Sequence, residues 1–259
     1  MPSASLLIEQ EDGVQIITLN RPDKLNAIDE EMKLALTEML EMIRRDDGVK
    51  AIIFTGAGRG FCSGADLAAP NVEKVVTRNE ITEPMGVFVF HLAMLDKPVI
   101  AAINGVAAGA GLSLALACDI RIASPQAKFT PLWVKRGMVP DAGATFLLPK
   151  LIGVSRALEL MYSGNSIDAV TAEKLGLVSQ IVAPDQLLVR AREIAIQWAK
   201  GPSVAMELLK RVVCKNMRTE LEAQLYYETM AQNICLKTED CKEAVNAFLE
   251  KREPVFRGK

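Results

Sequence analysis

Two segments of the chain place small residues directly after an apolar run, where backbone N–H groups can approach a ligand closely. The first is AIIFTGAGRGFCSGADL at residues 51–67, and the second is KPVIAAINGVAAGAGLSLALACDIRIAS at residues 97–124. In each, glycine or alanine leads into a helix start, where N–H groups lack intrahelical acceptors and the helix dipole attracts negative charge. Together the turns predict a site for one oxyanion, although close helix–strand packing also favours such small residues.

The elements that must position these turns alternate along the chain. The runs SLLIEQ and VQIITLN, separated by EDG, predict an antiparallel pair of strands. Apolar residues at helical spacing from Asp29 to Arg45 predict a helix with Asp29 as its N-cap. Strand-like and helix-like segments then follow in turn up to Ala183. This alternation, with strands apolar on both faces, predicts an α/β fold with parallel strands inside and helices outside.

Beyond Ala183 the pattern is almost wholly helical, with breaks at residues 201–203 and 237–240. We therefore divide the chain into a core of residues 1–199, which contains the pocket, and a C-terminal helical region of residues 200–259. Periodicity leaves open whether the apolar residues of that region cover their own core or a neighbouring subunit. These residues include Leu225, Tyr226, Tyr227, Met230 and Phe248.

Composition limits the kinds of partner. The chain has 259 residues, half of them hydrophobic, and 32 acidic residues against 30 basic ones. We therefore expect a large core and no overall field that recruits nucleic acid or an anionic membrane. Five cysteines without a paired spacing favour a reducing compartment. The N-terminus does not resemble a targeting segment, and no apolar run reaches the roughly 18 residues of a membrane span, so we expect a cytoplasmic protein.

Five motifs and a closing segment resemble, in order and spacing, the enoyl-CoA hydratase/isomerase family, also called the crotonase superfamily. They are NRPDKLNAI, TGAGRGFCSGADL, KPVIAAINGVAAGAG, AKF, VPDAGATFLLPKLIG and AFLEKREPVF. The resemblance implies a spiral of ββα units and a C-terminal helical region that mediates homotrimers, often paired as hexamers. It also implies an acyl-CoA thioester substrate, with coenzyme A bound as part of the substrate and no separate cofactor or metal.

The resemblance assigns the oxyanion hole to the backbone N–H groups of Ala65, in GAD, and Ala110, in GAG. Many relatives have glycine at the second position, but an alanine N–H donates equally well if its backbone dihedrals are allowed. Two such donors suit enolate chemistry, because a side-chain carboxylate cannot remove the weakly acidic α-proton of a thioester unaided. One lost oxyanion donor typically costs roughly 2.7–4 kcal/mol.

The two glutamates that hydratases of this family use are missing at the matching positions. Ser113 stands at the first position and Trp133 at the second, and neither side chain is a useful base. The nearest carboxylate is that of Asp141, in MVPDAGAT, where an aspartate before a helix would ordinarily act as an N-cap. The chain therefore lacks both of the acids that ordinary hydration uses.

Several branches of the family have an acidic residue at the Asp141 position, among them the enoyl-CoA isomerases of phenylacetate degradation. That branch also shares GVAAGAG and the pattern PD-x-G-x-T-x-LLP. One carboxylate suffices for isomerisation, because it can take a proton from one carbon and return it at another. The leading hypothesis is therefore an enoyl-CoA isomerase with Asp141 as acid/base.

Three alternatives stay open. An enoyl-CoA or dienoyl-CoA hydratase could recruit a second acid from the polar stretch 68–82, which predicts a loop, or from the helix after it; the candidates are Glu73, Glu80 and Glu83. An aryl-CoA dehalogenase would share Asp141 and Trp133, but its histidine would lie about one helical turn from His91, the only histidine. The third alternative is a non-catalytic acyl-CoA binder.

For coenzyme A, the resemblance implies contacts from several segments. Lys24 is expected near the adenine and phosphate end, since lysine suits phosphate as a mobile point charge. Asp66 is expected to fix its turn rather than to react. The other candidates are Ala65 and Leu67 along the pantetheine, Gly111 and Trp133, and Phe248 and Lys251 from the C-terminal helix.

Overall fold

The computed structural model describes residues 4–66 and 86–258. Its strands are β1 (Leu6–Glu11), β2 (Val14–Leu19), β3 (Ala51–Gly56), β4 (Gly60–Cys62), β5 (Val99–Ile103), β6 (Val106–Ala108), β7 (Ile120–Ala123), β8 (Lys128–Thr130), β9 (Ile167–Asp168) and β10 (Gln180–Ile181). Its helices are α1 (Glu30–Arg45), α2 (Val87–Met94), α3 (Ala110–Ala117), α4 (Ala144–Ile152), α5 (Val154–Ser163), α6 (Ala169–Lys174), α7 (Leu187–Ala199), α8 (Ser203–Cys235) and α9 (Glu239–Glu250).

Part of the sequence prediction lies outside the described residues. This part comprises the predicted loop of residues 68–82, the possible CoA contact Leu67, and the three candidate second acids Glu73, Glu80 and Glu83.

The strands form two sheets. The larger sheet has the order β1-β2-β3-β5-β7-β10, and the smaller has the order β4-β6-β8-β9. The β1–β2 pair is antiparallel, as predicted, and every other pair in the larger sheet is parallel. In the smaller sheet only the β8–β9 pair is antiparallel.

The chain repeats one unit around these sheets. The units are β3–β4–α2, β5–β6–α3 and β7–β8–α4, and in each the first strand joins the larger sheet and the second strand joins the smaller. This arrangement confirms the α/β spiral of ββα units. Because successive units are parallel, the turns after β4 and β6 lie side by side.

Two clusters of buried side chains flank the larger sheet. Consecutive residues of β3 alternate between them: Ile52 and Phe54 pack in the main core, whereas Ile53 packs in a second core beneath α7. A strand with apolar contacts on both faces reads as an unbroken apolar run. This explains the uninterrupted apolar residues of β3 and β5.

Helix α1 follows the prediction closely. Its buried residues recur at helical spacing, and the Asp29 side chain accepts a hydrogen bond from Met32 N–H at 2.9 Å. This N-cap satisfies one of the N–H groups that lack an intrahelical acceptor.

The C-terminal helices α7, α8 and α9 are separated near the predicted breaks. Leu225 on α8 is buried and therefore covers the core of its own chain. The exposed apolar side chains of this region include Tyr226, Tyr227, Met230 and Phe248. The division between residues 199 and 200 stays a prediction. None of the helices described is both long and apolar enough to cross a membrane.

Candidate active site

The first turn follows β4 and is anchored to the segment before α1. Ile28 N–H donates to Gly64 O at 2.7 Å, and Asp66 N–H donates to Ile28 O at 2.9 Å. In this parallel bridge the N–H of Ala65, between the two bonded residues, points away from Ile28. Among the described residues, no hydrogen bond uses the Ala65 N–H.

Arg21 ties this turn to the start of α1. Its guanidinium lies 2.8 Å from the Asp66 carboxylate and 3.1 Å from that of Asp29, and it donates to Ala27 O at 2.6 Å. The charge of Asp66 is therefore engaged with Arg21. This agrees with the expectation that Asp66 fixes the turn. The residue types within the turn did not predict that its partner would be Arg21.

The second turn follows β6 and leads directly into α3. Gly109 has φ +51°, a conformation that favours glycine, and Ala110 is the first residue of the helix. The Ala110 N–H therefore has no intrahelical acceptor. Ala110 does not have a positive φ, so its methyl group causes no strain.

The two turns touch each other at Gly64. A Cβ at Gly64 would lie 2.8 Å from Ala108 O and 3.4 Å from Ala110 N. Because Ala65 follows Gly64 directly, the two N–H groups assigned as oxyanion donors belong to backbone segments in contact. The described residues thus bring the two predicted donors into one region.

Gly111 serves the packing behind these turns. A Cβ at this position would lie 2.4 Å from Cys62 O, so only glycine allows α3 to approach β4 this closely. Burial raises the pKa of the Cys62 thiol to about 12, which makes it a poor nucleophile. A contact between Gly111 and coenzyme A stays a prediction.

Ser113 joins the second turn to the candidate base. Its N–H donates to Gly109 O at 3.0 Å, and its Oγ donates to the backbone oxygen of Asp141 at 2.9 Å. Ser113 is fully buried. The residue at the position of the first hydratase glutamate therefore holds the Asp141 backbone one helical turn from Ala110.

Both carboxylate oxygens of Asp141 accept hydrogen bonds from neutral donors. Trp133 Nε1 donates to Oδ1 at 2.9 Å, and Gln232 Nε2 donates to Oδ2 at 3.0 Å. Asp141 is only 6% exposed. Burial raises the pKa of this carboxyl group, and the two hydrogen bonds oppose that rise.

The N-cap interpretation of Asp141 is wrong, because another carboxylate takes that role. Glu228, from α8, accepts hydrogen bonds from Gly143 N–H at 2.7 Å, from Thr145 N–H at 3.0 Å and from the Thr145 hydroxyl. Burial raises the pKa of Glu228 to about 7 against these hydrogen bonds, and the charge of Asp141 adds to the rise. Ala142, which follows Asp141 and lies two residues before α4, has φ +52°, an uncommon conformation for a residue with a Cβ.

Glu228 and Gln232 are the site residues that sequence reasoning missed. The missed signal is a stripe at helical spacing on α8, in which two polar residues follow two leucines. The four members, Leu221, Leu225, Glu228 and Gln232, are each no more than 3% exposed. A polar side chain on the buried face of a helix needs a partner, and here both partners lie in the turn that contains Asp141.

The remaining predicted residues are less closely connected. Lys24 is exposed, and its backbone oxygen accepts a hydrogen bond from the Ser63 hydroxyl at 3.1 Å, beside the first turn. Phe248 lies against the Arg136 guanidinium, 3.7 Å from the ring centroid. No hydrogen bond or ion pair of the described residues joins α9, with Phe248 and the following Lys251, to the turn of Lys24.

His91 interacts with another helix rather than with the candidate site. Its Nδ1 lies 2.7 Å from a carboxylate oxygen of Glu41 on α1. Burial tends to raise the pKa of Glu41, but the hydrogen bonds from His91 and Arg44 outweigh it and lower the pKa. This contact places His91 between α1 and α2.

Comparisons with known proteins match the chain almost from end to end. The model of the family described as enoyl-CoA hydratase/isomerase matches residues 9–259. The chain is 40% identical to the 1,2-epoxyphenylacetyl-CoA isomerase of Escherichia coli K12, over 98% of each sequence. It is 36% identical to the short-chain-enoyl-CoA hydratase of Clostridium acetobutylicum, over 96% of each sequence.

Solved structures give the same result. The crystal structure of an enoyl-CoA hydratase/isomerase from Pseudoalteromonas atlantica T6c superimposes with a TM-score of 0.89 and 32% identity. The match covers 98% of this chain and all of that one.

Proposed function

Because the chain belongs to the enoyl-CoA hydratase/isomerase family, we propose that it is an acyl-CoA isomerase that works through a thioester enolate, with Asp141 as acid/base. The observation that carries the proposal is the connection from Asp141 to the second turn. Ser113 holds the Asp141 backbone and lies on the same helix whose first N–H is that of Ala110. The acid and an oxyanion donor are therefore held by one rigid element.

The reaction needs one base and one oxyanion site. The ionised Asp141 carboxylate takes a proton from a carbon of the bound enoyl group, and the electron pair moves into the thioester carbonyl. The resulting oxyanion is stabilised by the N–H groups of Ala65 and Ala110. The protonated Asp141 then returns the proton at another carbon, which moves the double bond and restores the carboxylate.

The side chains around Asp141 favour isomerisation over hydration. At the positions of the two hydratase glutamates, Ser113 binds a backbone oxygen and Trp133 donates to Asp141. Glu228, from α8, is the other buried acid beside Asp141, but its oxygens accept hydrogen bonds from Gly143 and Thr145. The relatives include both an isomerase and a hydratase, so the choice between the two reactions rests on the site.

The other two alternatives have less support. For a dehalogenase, His91 would have to act on the substrate, but its ring is paired with Glu41. For a non-catalytic binder, a buried acid held by two donors beside an oxyanion site would have no purpose. The dehalogenase and binder hypotheses therefore rank below the isomerase.

We also propose that the substrate is an acyl-CoA thioester and that the protein assembles as a homotrimer or a dimer of trimers. Exposed apolar side chains of α8 and α9 support assembly, because together they form more apolar surface than single scattered residues would. They include Leu209, Val212, Val213, Tyr227, Met230 and Leu249. Five free thiols support a reducing compartment such as the cytoplasm.

The proposal is tested with an acyl-CoA panel that scores double-bond migration and hydration separately. We expect migration, together with exchange of the α-proton for deuterium. Asp141→Asn should lower turnover by at least about a hundredfold, the scale of one general acid/base, while coenzyme A still binds. Deuterium exchange by NMR and binding by calorimetry measure the two effects.

Two results would contradict the proposal. Near wild-type turnover of Asp141→Asn would remove Asp141 as the base. Hydration without migration across the panel would make the enzyme a hydratase. A suitable control is Asp47→Asn, which removes an exposed carboxylate outside the site and should leave turnover unchanged.

A further inference from the structure

Gln232 approaches Asp141 from the C-terminal helix in a fixed orientation. Its side chain is 1% exposed, and its Oε1 accepts a hydrogen bond from Val139 N–H at 3.1 Å. The Nε2 group is thereby directed to Asp141 Oδ2, 3.0 Å away. A flipped amide would bring two donors together at Val139, so the backbone N–H sets which atom faces the acid.

We propose that Gln232 is a positioning residue for the reaction: it holds the Asp141 carboxylate against the Trp133 indole and keeps it ready to accept a proton. This inference rests on the proposed role of Asp141. It adds that the base is completed by Gln232 of α8, which lies 91 residues further along the chain. Without Gln232, Trp133 would be the one side chain of the described residues that binds this carboxylate, and it binds only one of the two oxygens.

The charged groups of the surrounding elements do not replace Gln232. On the 3-10 turn Leu132–Arg136, Lys135 binds Asn165 and Arg136 stacks on Phe248. Helix α3 has no charged residue, and the His91 ring of α2 pairs with Glu41. Glu228 of α8 is an acid and would oppose ionisation of Asp141 if it were itself ionised.

The hydrogen bond from Gln232 therefore has a measurable electrostatic effect. Burial raises the pKa of Asp141, whereas the donors Trp133 and Gln232 lower it. Removing the Gln232 donor raises the pKa of this acid further. Because only the ionised carboxylate accepts a proton, the acidic limb of the kcat profile then moves to higher pH.

The test compares two variants of Gln232 with a control on the same helix. Gln232→Met keeps an unbranched side chain but removes the donor. Gln232→Glu keeps an acceptor for Val139 N–H and adds a like charge near Asp141. Glu222→Gln changes an exposed residue of α8 and serves as the control.

For Gln232→Met we expect the acidic limb of kcat to rise by about one pH unit, which lowers turnover about tenfold at a fixed pH below the limb. KM should stay within about twofold, and kcat should recover at high pH. Gln232→Glu should move the limb further in the same direction. Glu222→Gln should match the wild type.

A merely structural role would lower kcat equally at all pH values, and that result would overturn the inference, as would an unmoved limb. If Gln232→Met does not fold, Gln232→Glu gives the same comparison with Val139 still paired.

A second measurement separates this inference from the proposed function. The ionisation of Asp141 is followed directly by NMR of protein with 13C-labelled aspartate carboxyls, using Asp141→Asn to assign the signal. A higher pKa of Asp141 in Gln232→Met supports the inference even if no isomerisation is found on the acyl-CoA panel. An unchanged Asp141 titration overturns it even if the wild type is an active isomerase.

Discussion

At the scale of residues, two buried acids meet at one turn but have different surroundings: Asp141 belongs to the turn, and Glu228 reaches it from α8. Asp141 accepts one hydrogen bond on each oxygen from a neutral side chain. Glu228 accepts hydrogen bonds from two backbone N–H groups and one hydroxyl of the same turn, at the start of α4. Side chains hold the Asp141 carboxylate, whereas the Glu228 carboxylate holds the backbone of the segment that follows Asp141.

Glu228 should make stability depend on pH. Its pKa rises from 4.5 to about 7 in the folded protein, so between these values the folded state binds a proton that the unfolded state has lost. The stabilisation from this group is full below its unfolded pKa and disappears as the pH rises through about 7. The change is on the order of 3 kcal/mol.

Urea denaturation between about pH 5 and pH 8 measures this effect, because the two ends lie on either side of most of the transition. The difference in unfolding free energy between wild type and Glu228→Gln should fall as the pH rises. Glu222→Gln is the control and should follow the wild type. A difference that is constant with pH would show that Glu228 does not titrate in this range.

At the scale of elements, the close approach of α3 to β4 supports both proposed oxyanion donors. Gly111 on α3 touches Cys62 at the end of β4, and the first turn begins immediately after Cys62. A displacement of α3 would therefore separate the Ala110 N–H from the Ala65 N–H. The contact holds the distance between the two N–H groups that are proposed to bind one oxyanion.

Gly111→Ala should lower both stability and turnover. The added Cβ would lie 2.4 Å from a backbone oxygen, which cannot move like the end of a flexible side chain. We expect a loss of about 1–3 kcal/mol of unfolding free energy from overpacking. Chemical denaturation and kcat measure the two effects. Ala110→Gly, which adds no atoms and keeps the N–H, should retain most of both; wild-type behaviour of Gly111→Ala would refute the argument.

How far the sequence predicts these elements depends on how local the responsible contacts are. The period of α1 and the cap at Asp29 involve neighbours in the chain, so the sequence predicts them. The two glycine-rich turns are also local. The contacts of Gln232 and Glu228 connect residues more than 80 positions apart, and nothing near Asp141 in the sequence indicates them. For the same reason the local sequence around Asp141 predicts an N-cap, which the structure does not show.

At the scale of the whole molecule, no hydrogen bond or ion pair of the described residues joins the two lysines predicted to hold coenzyme A. Lys24 lies beside the first turn, whereas Lys251 ends α9 and has φ +56°. If one coenzyme A molecule is held by Lys24 of one copy and Lys251 of another, the complete site exists only in the assembly. This arrangement would couple binding to the proposed trimer.

Lys24→Ala and Lys251→Ala test this arrangement. Each should raise KM for acyl-CoA a few-fold with kcat nearly unchanged, as expected for an exposed charge that binds substrate and transition state equally. When the two variants are refolded together, some sites should regain wild-type KM, because intact lysines from different copies meet there. Lys237→Ala is the control. No recovery in the mixture would assign both lysines to one chain, and an unchanged KM in both variants would remove them from the site.

The position of α8 after the other parts of the site also has a consequence for biosynthesis. Ala65, Ala110 and Asp141 leave the ribosome well before Glu228 and Gln232. Since chains are made from the N-terminus, an unfinished polypeptide can have both glycine-rich turns while its acid still lacks the partner from α8. Full catalytic competence would then be acquired only after α8 has been made, and products that terminate before it would lack the donor that lowers the pKa of Asp141.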